Sequence, residues 1–185
     1  LVDEMKCVVK EDSNLIPFNL AHLDMFAGGM TRKEITVLGG RPGHGKTTLV
    51  INMIKGLISQ GYRVMLFNRE MSNTEMLKKM VVMDSNSLKY GDIRRNDLSE
   101  TDKIEFDSIS EKMKSYYKNL IMYDNVRTLS DCLREIAKHK PDVVIDDYIQ
   151  LIDVQGVKEG RRFEIEKIMQ EYKWICKQEN CSAIL

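Results

Sequence analysis

Gly39-Gly40-Arg41-Pro42-Gly43-His44-Gly45-Lys46-Thr47-Thr48 is the stretch around which the chain is organised. From Gly40 it fits G-x-x-x-x-G-K-[ST], a loop whose backbone N–H groups wrap an anion while the lysine reaches the outer phosphates and the next hydroxyl holds Mg²⁺. Gly43 and Gly45 permit backbone angles and a close approach that a Cβ would block. A helix opening near Thr47 aims its free N–H groups and the positive end of its dipole at the phosphate. A glycine-rich turn could match this pattern by chance, but the flanks decide against that. Glu34-Ile35-Thr36-Val37-Leu38 is a short apolar strand, and Leu49, Val50, Met53, Ile54, Leu57 and Ile58 fall on one helix face. Strand, glycine loop and helix in that order predict nucleotide binding by Gly40, Arg41, Pro42, Gly43, His44, Gly45, Lys46, Thr47 and Thr48.

Outward from the loop, strand and helix patterns alternate. Tyr62 to Phe67 reads as a second strand with Asn68-Arg69-Glu70-Met71 as its exit. Ser72-Asn73-Thr74-Glu75 has the form of a capping box and opens a helix that turns Met76, Leu77, Met80 and Val81 inward. Residues 84–98 are polar, with a short helix expected over Ser87 to Tyr90. Ser99 caps a further helix that places Phe106, Ile109, Met113 and Tyr116 on one face. Leu120 to Tyr123 is a short strand, and Thr128 caps a helix whose exit is marked by Pro141. Asp142-Val143-Val144-Ile145-Asp146-Asp147 is an apolar β-branched run ending in carboxylates, and Arg161 to Glu179 is a long amphipathic helix. Alternation of this kind predicts an α/β fold with a mostly parallel sheet, helices on both faces and ligands at the C-terminal ends of the strands.

Residues 1–18 lack periodicity and read as a linker or arm, which leaves 19–185 as the domain. Cys181 to Leu185 looks like a core strand that stops while still apolar, so a continuation of the polypeptide is expected beyond it. Lys plus Arg and Asp plus Glu both number 28, and the balanced charge gives no support for a membrane or nucleic-acid partner beyond local patches. Cys7, Cys132, Cys176 and Cys181 lack metal-ligand or staple spacing and read as free thiols in a reducing cytoplasm. No apolar stretch of about 18 residues is present, so no membrane association is expected.

The loop supplies Mg²⁺ with one protein ligand. The usual second contact is an aspartate at the end of a neighbouring apolar strand, for which Asp146 and Asp147 are both placed. Hydrolysis also needs a carboxylate that deprotonates water without binding the phosphates. Glu70, at the exit of the strand after the loop helix, is the leading candidate, and its bland alternative is an acid that favours the next helix N-terminus.

The loop Arg41 to Thr48, the pair Glu70-Met71 and the box Asp147-Tyr148-Ile149-Gln150-Leu151 together resemble the motor domain of DnaB-type replicative helicases, in order as well as spacing. The resemblance spans about Asn19 to Leu185. It implies a RecA-like P-loop NTPase that uses ATP and Mg²⁺ and assembles as a ring, usually a hexamer. It further implies single-stranded DNA in the channel, with a primase or a helicase loader as candidate further partners. Carried over, Lys46 and Thr47 contact phosphate and Mg²⁺, Glu70 becomes the general base, and Asp147 rather than Asp146 the Mg²⁺-associated acid. Arg69, where the family commonly has an apolar residue, and the additional acid Asp146 depart from the pattern. A recombinase or clock-type RecA-like ATPase and a nucleotide-gated assembly module are the alternatives. Lys158, Arg161 and Arg162, in a glycine-containing segment after a strand end, are candidate DNA contacts.

Overall fold

Along the chain the elements are β1 (Leu15–Ile16), α1 (Ala21–Ala27), β2 (Met30–Thr31), β3 (Ile35–Thr36), α2 (Lys46–Ser59), β4 (Val64–Asn68), α3 (Asn73–Asp84), α4 (Tyr90–Arg95), α5 (Glu100–Tyr116), β5 (Leu120–Tyr123), α6 (Leu129–His139), β6 (Val143–Asp147), α7 (Arg161–Glu179) and β7 (Ser182–Ile184). The structure, a computed structural model, describes residues 15–41, 43–156 and 160–185. β1 and β2 form a small antiparallel ribbon, and the other five strands form one parallel sheet in the order β3-β7-β6-β4-β5. β4 and β6, neighbours in the middle of the sheet, are buried along their whole length. Burial on both faces explains why their sequences run apolar without alternation.

Each face of the sheet carries its own core. On one, Val64, Leu66, Val143 and Ile145 pack against α2, α3 and α5 through residues such as Ile54, Met76 and Ile109. On the other, Met65, Phe67 and Val144 pack against α6 and α7 through Ile136, Ile168 and Tyr172. Successive residues of a strand point to opposite faces. Each run of two polar residues at the end of β4 or β6 therefore sends one side chain to each core.

Local signals decide the helix ends. The Ser72 hydroxyl accepts from the Glu75 N–H at 3.2 Å, but the Glu75 carboxylate takes Lys78 and the Tyr90 hydroxyl as partners, so only half of the expected box forms. The reciprocal box forms instead at Ser99 and Asp102. The short helix expected over Ser87 to Tyr90 lies further on, at Tyr90–Arg95. At the end of α5 the buried aromatic is Tyr117 and Tyr116 is exposed, because the chain tightens there into a 3₁₀ turn, Tyr117–Asn119, and rotates the next side chain inward. Ile16 and Phe18 are core residues, tied in further by the Phe18 and Leu20 N–H groups donating to the Asp24 carboxylate. Of the expected N-terminal arm, residues 1–14 lie outside the described residues. Cys132, Cys176 and Cys181 are buried free thiols. Among the described residues no helix is long and apolar enough to cross a membrane.

Candidate nucleotide site

β3 delivers the glycine loop to the C-terminal edge of the sheet, and α2 starts at Lys46 with Gly45 as its cap residue. Gly43 and Gly45 adopt φ of +77° and +82°, the left-handed region that side chains with a Cβ avoid. No cap side chain claims the first N–H groups of α2, which leaves them for an anion. Gly40 is close-packed in a different way: a Cβ there would stand 3.0 Å from the Lys46 Cγ, so the lysine stem would have to shift by a few tenths of an ångström. The lysine stem thus runs over Gly40, and its Nζ stands 5.5 Å from the centroid of the Tyr148 ring. The His44 N–H donates to the Arg41 carbonyl at 3.3 Å, and Arg41 and Thr48 line the same cleft. Pro42 lies outside the described residues.

Asp147 ends β6 on the face of the sheet that α2 covers, and the Thr47 hydroxyl points at its Oδ2 from 3.5 Å. That spacing is longer than a good O–H···O bond, so neither oxygen is closed off by the other. Burial raises the Asp147 carboxyl above the usual carboxylate range; the charge of Glu70 adds to the rise and Lys46 opposes it. Glu70 reaches this spot from β4. The Arg69 N–H donates to the Asp147 carbonyl at 2.9 Å, extending the β4–β6 ladder one residue past the strand and setting Glu70 down at the mouth of the cleft. Two hard oxygen donors, a cation and a glycine cradle suit a triphosphate with a divalent metal.

Asp146 does not join this set. It points to the opposite face of the sheet, where its side chain is fully buried and accepts from Arg69 Nε at 2.6 Å, Arg69 Nη2 at 2.8 Å and the Tyr172 hydroxyl at 2.5 Å. The expectation that Asp146 could ligate Mg²⁺ is thereby corrected, because strand alternation gives only one of the adjacent carboxylates to the loop face. Arg161, at the start of α7, is exposed, and its guanidinium pairs with Glu164 and donates to the carbonyls of Gln150 and Ile149, in the turn after Asp147. Arg162 is exposed at the start of α7. Lys158 lies outside the described residues.

Sequence reasoning passed over Lys79 at the cleft and Asn68 beside Asp147. Lys79, on α3, lines the cleft together with the glycine loop. Nothing in a lysine on an amphipathic helix marks it as such; only the packing of α3 shows it. Asn68, the ladder partner of Asp147, is fully buried with both amide atoms unpartnered among the described residues. An unpaired buried amide costs about 1–3 kcal/mol, which is the kind of strain found beside functional groups.

A family model described as the DnaB-like helicase C terminal domain matches residues 16–185. The chain belongs to that family. It is 28% identical over 170 residues to the replicative DNA helicase DnaB of Helicobacter pylori strain J99, an alignment that takes in 88% of this chain and 34% of that protein. This chain thus spans about a third of the length of that relative. Among solved structures, the ATPase domain of G40P superimposes with a TM-score of 0.79 at 22% identity, over 100% of this chain and 69% of that one. A DnaB-like replicative helicase, described with its interactions with primase, superimposes with a TM-score of 0.80 at 21% identity, over 99% of this chain and 46% of that one. The parallel sheet flanked by helices is therefore the RecA-like ATPase fold of DnaB-like helicases.

Proposed function

We propose that this domain is the ATP-hydrolysing motor of a replicative DNA helicase. In that reading, hydrolysis between subunits of a ring, usually hexameric, drives movement along single-stranded DNA. The observation that carries it is that Lys46, Thr47 and Glu70 line one cleft while the Asp147 carboxylate stands 3.5 Å from the Thr47 hydroxyl, the four coming from the loop helix and the ends of two adjacent strands. Lys46 and the loop N–H groups would hold the outer phosphates, and Thr47 and Asp147 are the residues that would hold Mg²⁺. Bound Mg²⁺ would neutralise charge on the β- and γ-phosphates. Glu70, beside the cleft but away from the cradle, orients a water and accepts its proton. Lys79 adds a third cation to Arg41 and Lys46 in the cleft. Lys158, Arg161 and Arg162 are candidates for contacts with DNA phosphates, and a primase or loader is a candidate partner of the whole protein.

ATP turnover by the full-length protein with and without single-stranded DNA tests the assignment. A motor hydrolyses several-fold faster on DNA, and Glu70→Gln retains nucleotide while losing turnover. Turnover indifferent to DNA in a protein that still binds ATP would point to a nucleotide-gated assembly module instead.

A further inference from the structure

Arg69 and Asp146 form a bidentate ion pair whose side chains are 5% and 0% exposed, on the face of the sheet away from the nucleotide cleft. The pair has further partners. Arg69 Nη1 donates to the Val126 carbonyl at 2.6 Å and Nη2 lies 3.0 Å from the Cys132 sulfur, while the Tyr172 hydroxyl donates to Asp146. β4, β6, the segment before α6, α6 itself and α7 thus meet at one buried group. The place matters more than the number of bonds. Arg69 immediately precedes Glu70 and Asp146 immediately precedes Asp147, so the ion pair spans the same two strand ends from which the two cleft carboxylates project. The Arg69 N–H also donates to the Asp147 carbonyl, so a shift of either strand end would move one of the two cleft carboxylates relative to the other.

We propose that Arg69 and Asp146 are positioning residues, a buried fork-to-carboxylate tie that fixes the separation of Glu70 and Asp147 from the opposite face of the sheet. The proposal rests on the assignment of Glu70 and Asp147 to hydrolysis. A guanidinium fork holding both oxygens of one carboxylate sets distance and angle together, which a point charge or an apolar contact does not. Displacement of a reacting group by about 1 Å costs about a hundredfold in rate, so a small relaxation here is readable in turnover.

The test measures kcat, KM and the affinity of a non-hydrolysable ATP analogue in the full-length protein. Asp146→Asn is expected to lower kcat about ten- to a hundredfold while analogue affinity stays within about twofold. Arg69→Lys, which keeps the charge and loses the fork, is expected to fall between Asp146→Asn and the parent. Tyr172→Phe leaves both charges in place and removes one bond to Asp146. It covers the case in which Asp146→Asn does not fold, with an expected drop in kcat of about fivefold at unchanged KM. A kcat within about twofold of the parent for Tyr172→Phe and for each folded variant of the pair would overturn the proposal. Glu70→Gln, run alongside, separates the two failures. Normal turnover by Glu70→Gln removes the assignment beneath the proposal, whereas an inactive Glu70→Gln beside an active Asp146→Asn removes only the tie.

Discussion

Breaking the Arg69–Asp146 pair from one side should cost far more stability than removing it altogether. Asp146→Leu leaves a guanidinium that is 5% exposed with the Val126 carbonyl, the Cys132 sulfur and the Phe67 ring as its neighbours among the described residues, and Arg69→Met leaves a carboxylate that is 0% exposed with the Tyr172 hydroxyl as its donor among them. Each single change should therefore cost about 3–5 kcal/mol, the range for an uncompensated buried charge. The double variant Arg69→Met/Asp146→Leu buries no charge. Its cost comes from the Tyr172 hydroxyl and the Val126 carbonyl, each left unpaired at about 1–3 kcal/mol. The cycle should accordingly close with a coupling of roughly 4 kcal/mol, a large fraction of the 5–15 kcal/mol that holds a typical domain together. Urea unfolding of the four proteins, followed by far-ultraviolet circular dichroism, measures it. Additivity of the two singles within about 0.5 kcal/mol would refute the reasoning, because it would mean that neither charge depends on the other.

Two further outcomes concern the cleft itself. Lys46→Ala should abolish nucleotide binding or turnover in a protein that remains folded, since it removes the cation that the glycine loop carries to the outer phosphates; fluorescence titration with a labelled nucleotide checks it. Asp147→Asn should weaken the Mg²⁺ dependence of turnover, yet raise the thermal midpoint of the nucleotide-free protein at neutral pH. The sign follows from the direction of the shift. A carboxyl raised by burial and by Glu70 favours folding fully below its unfolded pKa of about 4, and that contribution is lost as the pH rises through the folded value. The gain in midpoint should shrink to nothing as the pH is lowered to about 4, and a midpoint difference independent of pH would remove the electrostatic explanation.

The cleft was legible in the sequence because its chemistry is local: the loop from Gly40 to Thr48 is contiguous, and Glu70 and Asp147 each end an apolar run. The choice between Asp146 and Asp147 was not local. Alternation says that one of the two faces the loop, but which one depends on the side of β6 that α2 covers, and that is set by strand order and crossover. Lys79 was hidden for a similar reason, since its role is fixed by where α3 packs and not by its own neighbours in sequence. Arg69 and Asp146 show the limit most clearly. Each departs from the family pattern, and in the sequence they stand 77 positions apart as two unrelated irregularities. The ladder sets Phe67 opposite Asp146 and Asn68 opposite Asp147, which brings residue 69 within reach of residue 146 on the α6 and α7 face. A cation buried there needs an acid, and an acid buried there needs a cation. The two departures therefore account for each other, and a change at either position is tolerable only in the company of the other.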